Sequence, residues 1–171
     1  MKFTGWSDGS YSIHSGESYI AYVIADCSGN VLVEYKAKIL QADNIISTEF
    51  AALIALFNKI DKLGIKNINI YSDSQSMVES IKQQKTNNLY KTYDQILSSH
   101  FGEVKRDYLV NALQWRSRNH NLAHNLFKGN MPCETIKHFF VPINIVGRRK
   151  RIELDEMLYE ALYKDRRFKW A

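Results

Sequence analysis

The chain reads as an α/β domain: a five-stranded mixed sheet flanked by helices, with a C-terminal extension. Three observations point to this class. Three runs rich in β-formers follow one another before any helical pattern appears. Helical and extended patterns then alternate. Three acidic residues, Asp8, Glu49 and Asp73, stand where those elements begin or end.

Phe3 to Ser7 is the first extended run and leads into Asp8-Gly9-Ser10. Ser18 to Ala25, with Tyr19, Ile20, Tyr22, Val23 and Ile24, is the second. Asp26-Cys27-Ser28-Gly29-Asn30 supplies hairpin-turn residues, and Val31 to Ala37 is the third strand. Ser47 or Thr48 can cap a helix running to about Leu63, where Phe50, Leu53, Phe57 and Ile60 recur at helical spacing and Gly64 stops it. Lys66 to Tyr71 is a short buried strand, followed by a helix over Ser74 to Gln84 with Met77, Val78 and Ile81 inward. Leu89 to Phe101 is a third helix, Tyr108 to Trp115 a fifth strand, and Asn121 to Phe127 opens a last helix. Three consecutive strands followed by alternation imply a mixed sheet with helices on its faces.

Residues 1–130 are expected to form the main domain. Residues 131–171 read as a basic extension packed on it. Met131 to Val146 is apolar with Pro132 and Pro142, Gly147 to Arg151 is densely basic, and Glu153 to Tyr163 carries Leu154, Met157, Leu158 and Leu162 at helical spacing. The basic run suits either a solvated loop or a nucleic-acid contact.

The chain has 171 residues, enough for one domain with a sizeable core. Hydrophobic residues at 45% and charged residues at 24% are an ordinary globular balance. No stretch approaches the ~18 apolar residues that span a bilayer, and the first residues lack an apolar segment of signal-peptide length. Cys27 and Cys133 are far apart and in no metal-like spacing. These features point to a cytoplasmic protein with two incidental thiols. The net charge of +5, beside a set of acids, favours a polyanionic partner.

Carboxylates at strand ends and on a neighbouring helix can converge in space. Convergent carboxylates repel, and a hard divalent cation relieves that repulsion. Such a group suits two-metal phosphoryl chemistry on nucleic acid.

The element order and the acids resemble the ribonuclease H family. Asp8-Gly9-Ser10 is similar to the family's first-strand motif, Thr48-Glu49 with Ala51-Ala52-Leu53 to its helix glutamate, and Ser72-Asp73-Ser74-Gln75 to its fourth-strand aspartate. The resemblance covers roughly residues 3 to 127. It implies that Asp8, Glu49 and Asp73 are catalytic and bind two Mg²⁺ or Mn²⁺ ions, with Asp8 bridging. The family's fourth acid, preceded by alanine, aligns with Ala123-His124-Asn125-Leu126, so His124 stands in the fourth catalytic and metal-ligating position, with Asn125 as the other register. Imidazole suits Mn²⁺ better than Mg²⁺, so one ion should be held more weakly. His120, four residues earlier, is a candidate proton shuttle on the same helical face.

Candidate substrate contacts are Ser10, Asn44, Thr48, Ser74 and Arg118. Of the asparagines that the family often carries before its glutamate only Asn44 is kept, with Ser47 and Thr48 as candidate phosphate donors, and the second strand lacks the family's glycines. Lys82, Lys85, Lys91, Lys105, Arg106 and Arg116 are further candidates for phosphate contact. Tyr90 and Trp115 are candidates for stacking on sugars or bases, although Trp115 reads more readily as core. The function implied is an endonuclease, expected to be a monomer, that cuts the RNA strand of an RNA–DNA hybrid. A catalytically weak or inactive nucleic-acid-binding module on the same fold is the alternative, and a different nuclease of that fold is a third reading.

Overall fold

A computed structural model describes residues 2–40, 45–82, 88–129, 133–137, 140–145 and 148–153. Strands β1 (Phe3–Tyr11), β2 (Ser18–Asp26) and β3 (Val31–Ile39) form an antiparallel meander. Strands β4 (Ile68–Ser72) and β5 (Leu113–Trp115) add in parallel beside β1, and β6 (Glu134–Ile136) pairs in parallel with β3. The resulting order is β5-β4-β1-β2-β3-β6. The sheet therefore has six strands rather than five. The sixth is three residues long, too short to carry a readable alternation.

Local chemistry explains the turns. Asp26 Oδ1 accepts from the backbone N–H groups of Ser28 and Asn30, both at 2.9 Å, and Gly29 takes φ 88°. That side-chain loop closes the β2–β3 hairpin at the residues whose composition marks it. Helix α1 (Ile45–Leu63) begins earlier than expected, so Ser47 and Thr48 lie buried in its first turn instead of capping it. Gly64, at φ 68°, ends it by donating to the Asp61 carbonyl.

Helices α2 (Gln75–Lys82), α3 (Asn88–Phe101) and α4 (Glu103–Ala112) connect β4 to β5. Gly102, at φ 80°, separates α3 from α4. The strand expected over Tyr108 to Trp115 is thus mostly the end of α4. Leu109 and Val110 are buried against the helical core, and burial of that face outweighs the β-propensity of Tyr108 and Val110.

The expected last helix is replaced by two short 3₁₀ helices, Arg118–His120 and Ala123–Lys128. Asn121 breaks the continuity. Its Nδ2 donates to the Ser7 carbonyl at 2.9 Å, and its Oδ1 accepts from the Ala123 N–H at 2.9 Å. An asparagine that satisfies backbone groups in this way competes with helix propagation.

In the C-terminal region, β7 (Phe140–Ile145) and β8 (Arg148–Glu153) form an antiparallel pair, with β7 beside α3. The basic run is therefore strand, not loop. The helical pattern after Glu153 lies outside the described residues.

The sheet buries both faces. Ile20, Ile24, Ala37 and Ile70 pack against α1 through Phe50, Leu53 and Phe57. On the other face Trp6, Ala21, Val23 and Tyr71 pack under Ala123, Leu126 and Phe127.

Candidate active site

The site forms where β1, β4 and the first turn of α1 meet. Asp8 lies on the middle of the sheet, paired with Ala21 of β2, and Asp73 immediately follows β4. Glu49 approaches from α1. The approach depends on Gly9, whose backbone N–H donates to Glu49 Oε2 at 3.2 Å. A Cβ at Gly9 would sit 2.8 Å from the Glu49 nitrogen and 2.9 Å from the Thr48 carbonyl carbon. Only a glycine lets the helix backbone come this close to the strand.

Each of Asp8, Glu49 and Asp73 offers a carboxylate oxygen, and these atoms all lie within 4.8 Å of one another. Asp8 is 3% exposed, Glu49 is 8% exposed, and Asp73 is half-buried. Burial, with the nearby Asp73 charge, pushes the Asp8 carboxyl up to about 8. Burial, with the Asp8 and Asp73 charges, also raises Glu49 well above the ordinary carboxylate range. Three buried or half-buried acids with neighbouring oxygens offer an all-oxygen donor set that could hold a hard divalent cation.

His124 stands beside this group. Its Nδ1 is 2.8 Å from Asp8 Oδ2. Arg118 Nε donates to His124 Nε2 at 3.2 Å. Guanidinium can only donate, so Nε2 is the acceptor and the ring hydrogen is assigned to Nδ1, pointing at Asp8. Burial and the Arg118 and Lys128 charges lower the His124 pKa, which keeps the ring neutral. Both ring nitrogens are therefore engaged, Nδ1 with Asp8 and Nε2 with Arg118.

The acids open into a cleft of 430 Å³ also lined by Ser10, Ser74, Arg118 and His124. Thr48, an expected substrate contact, is fully buried and does not line it, because the α1 turn that presents Glu49 turns Thr48 inward. His120 is exposed at the end of the first 3₁₀ helix, does not line the cleft, and shares no helical face with His124. Asn125 is exposed, and His124, not Asn125, faces Asp8. Asn44, Lys85 and the Tyr90 side chain lie outside the described residues. Lys105 pairs with Asp61, Arg106 pairs with Asp94 and Asp107, and Lys82 donates to the Leu113 carbonyl; none of the three lines the cleft.

Trp115, read as core, is 46% exposed on the outer strand and donates its indole N–H to the Asp73 carbonyl at 3.3 Å. Tyr11, Ile45 and Ser76 also line the cleft, and the sequence reading passed over them. Nothing in their local pattern sets them apart. Asn121 had a weak signal only: an asparagine at the presumed start of a helix.

A family model described as reverse transcriptase-like matches residues 6–126. The chain belongs to this ribonuclease H-type family. Solved structures agree on the fold. RNase H1 from the halophilic archaeon Halobacterium salinarum is 18% identical, with a TM-score of 0.55 over 74% of this chain and 93% of that one. The N-terminal RNase H domain of a Mycobacterium tuberculosis protein is 23% identical, with a TM-score of 0.54 over 74% and 94%. LC11-RNase H1, from a compost metagenome and solved with an RNA/DNA hybrid, is 22% identical, with a TM-score of 0.57 over 73% and 93%. No curated protein matches the chain by sequence. The ribonuclease H-type match ends at residue 126, so β6 to β8 lie beyond it.

Proposed function

We propose that this chain is a metal-dependent endonuclease that hydrolyses the RNA strand of RNA–DNA hybrids. The observation that carries the proposal is the convergence of the Asp8, Glu49 and Asp73 oxygens within 4.8 Å at the floor of a cleft. Without a cation, Asp8 and Glu49 hold their protons unusually tightly. A bound cation would relieve that cost of burial and mutual repulsion. The hybrid bound by LC11-RNase H1 supports the choice of substrate.

Asp8, Glu49 and Asp73 would hold the ions, Mg²⁺ or Mn²⁺. When two are bound they supply an activated water and stabilisation of the leaving oxygen. The chain does the rest by positioning. Gly9 fixes the Glu49 carboxylate through its N–H. The His124 Nδ1–H fixes one Asp8 oxygen and leaves the other for the centre. Arg118, on the cleft wall, would attract the phosphate backbone, and Ser10 and Ser74, which line the same cleft, would hydrogen-bond it. In-line attack at phosphorus would leave 5′-phosphate and 3′-hydroxyl ends.

A labelled hybrid incubated with Mg²⁺ or Mn²⁺ should be cut in its RNA strand, with duplex RNA and single-stranded DNA spared. No cleavage with either metal, beside an active control enzyme, overturns the proposal. The engagement of both His124 nitrogens favours a second reading, a binding module that lacks a fourth metal ligand. That reading predicts salt-dependent hybrid binding without turnover.

A further inference from the structure

Strand register lays out a second surface beside the acids. Directly paired residues in a sheet share one face. Asp8 pairs with Ala21 and Ala21 with Lys36; Ser10 pairs with Tyr19 and Tyr19 with Lys38. Asp8, Ser10, Tyr19, Lys36 and Lys38 therefore stand on one face, in two adjacent rows. The aromatic cluster under Ala123 and Phe127 covers the Trp6 and Val23 row and Ala21. Tyr19, Lys36 and Lys38 stay half-exposed.

Both lysine ammonium groups lie over the Tyr19 ring, 5.4 Å from its centroid for Lys36 and 5.9 Å for Lys38. The ring face attracts cations and holds the two flexible side chains in place. Glu17 neutralises one of them, pairing with Lys38 at 3.1 Å. Lys36 makes no ion pair among the described residues. The patch thus presents two oriented cations, one of them uncompensated, on the face that carries Asp8. Two strand spacings of ~4.8 Å put the Lys36 backbone roughly 10 Å from that of Asp8. Adjacent phosphates of one strand stand roughly twice their ~3.4 Å axial spacing apart in space, so that distance spans about one to two phosphate steps.

We propose that Tyr19, Lys36 and Lys38 form a binding site for the sugar–phosphate backbone of the nucleic-acid strand that runs to the acidic cluster. The site rests on the nuclease reading for its substrate, but it can be read out by binding alone. The two lysines contact phosphates about one or two nucleotides from the one over Asp8. Glu17 competes with phosphate for Lys38, and so tunes affinity.

The test is anisotropy of a labelled RNA–DNA hybrid against salt, in an Asp8→Asn background that prevents cleavage. Each phosphate contact contributes about −0.9 to the slope of log K against log salt. The Lys36→Ala/Lys38→Ala pair should flatten the slope by roughly 1.8. Lys62→Ala, exposed in the last turn of α1 on the opposite face of the sheet, should leave it unchanged. Glu17→Gln should tighten binding. With Asp8 restored, the lysine pair should raise KM and spare kcat. An unchanged slope in the double variant, or a slope lost equally in Lys62→Ala, overturns the site. A flattened slope, where the chain with Asp8 intact does not cleave the hybrid with either metal, upholds the site and removes the nuclease reading instead. No hybrid binding by the Asp8→Asn chain overturns the site.

Discussion

The His124 ring donates from Nδ1 to Asp8 Oδ2 at 2.8 Å, while its Nε2 accepts from Arg118. The residue that stands in the place of a fourth acid therefore acts on the first one. Partners that orient metal ligands typically matter ~10–100-fold in metal affinity or activity.

His124→Ala should accordingly weaken Mg²⁺ or Mn²⁺ activation by roughly tenfold, seen as a higher metal midpoint in cleavage titrations. His124→Asp should lower the Mg²⁺ midpoint by adding an oxygen donor. Identical midpoints for wild type and both variants would remove His124 from the site.

Asp8→Asn and Asp73→Asn should abolish cleavage, because each removes one of the three converging carboxylates. Asp8→Asn should also raise the melting temperature in EDTA, since it removes a buried group that repels its neighbours. It should cancel the stabilisation that Mg²⁺ confers on the wild type. An active Asp8→Asn enzyme, or one that melts lower than wild type, contradicts this account.

Stability of the metal-free protein should fall as pH rises from about 4 to about 8. An unfolded aspartate loses its proton near 3.9, whereas Asp8 keeps its proton up to about 8. Across that interval the folded chain binds the extra proton, so raising the pH favours unfolding. Glu49, also raised, acts in the same direction. Each kcal/mol lost corresponds to roughly 2–4 °C at this chain length. Melting curves in EDTA from pH 5 to 8 should show the fall, and saturating Mg²⁺ should offset most of it at pH 8. A flat EDTA profile would show that the acids carry no such burden.

Gly9→Ala should cost about 1–3 kcal/mol, since its Cβ would meet α1 backbone at 2.8 Å and α1 would have to move away from β1. Displacing Glu49 should lower kcat more than it lowers stability-corrected substrate binding. Chemical denaturation alongside steady-state kinetics checks both, and a variant with wild-type stability and kcat refutes the close-approach argument.

The meander, α1 and β4 were legible because their signals are local. Alternating β-formers, the Asp26 to Asn30 turn, and the Phe50, Leu53, Phe57 spacing each act within a few residues. The acids were legible because their motifs are short and local: Ser72-Asp73 closes β4, whereas Asp8-Gly9-Ser10, expected at the end of a strand, lies inside β1, which continues to Tyr11. Helix α4 was misread because burial of Leu109 and Val110 in a distant core overrode local propensity. The last helix was misread because Asn121 bonds Ser7, more than a hundred residues away in sequence.

The order of the chain was sufficient to name three carboxylates and the elements that bear them. It was not sufficient to say what His124 does. Hydrogen bonds have direction, and which nitrogen faces which partner depends on Arg118 and Asp8 being brought to opposite sides of one ring. The same is true of Tyr19, Lys36 and Lys38. Their residue types are written in the sequence, but their shared face with Asp8 comes from strand register, which pairing across the sheet sets.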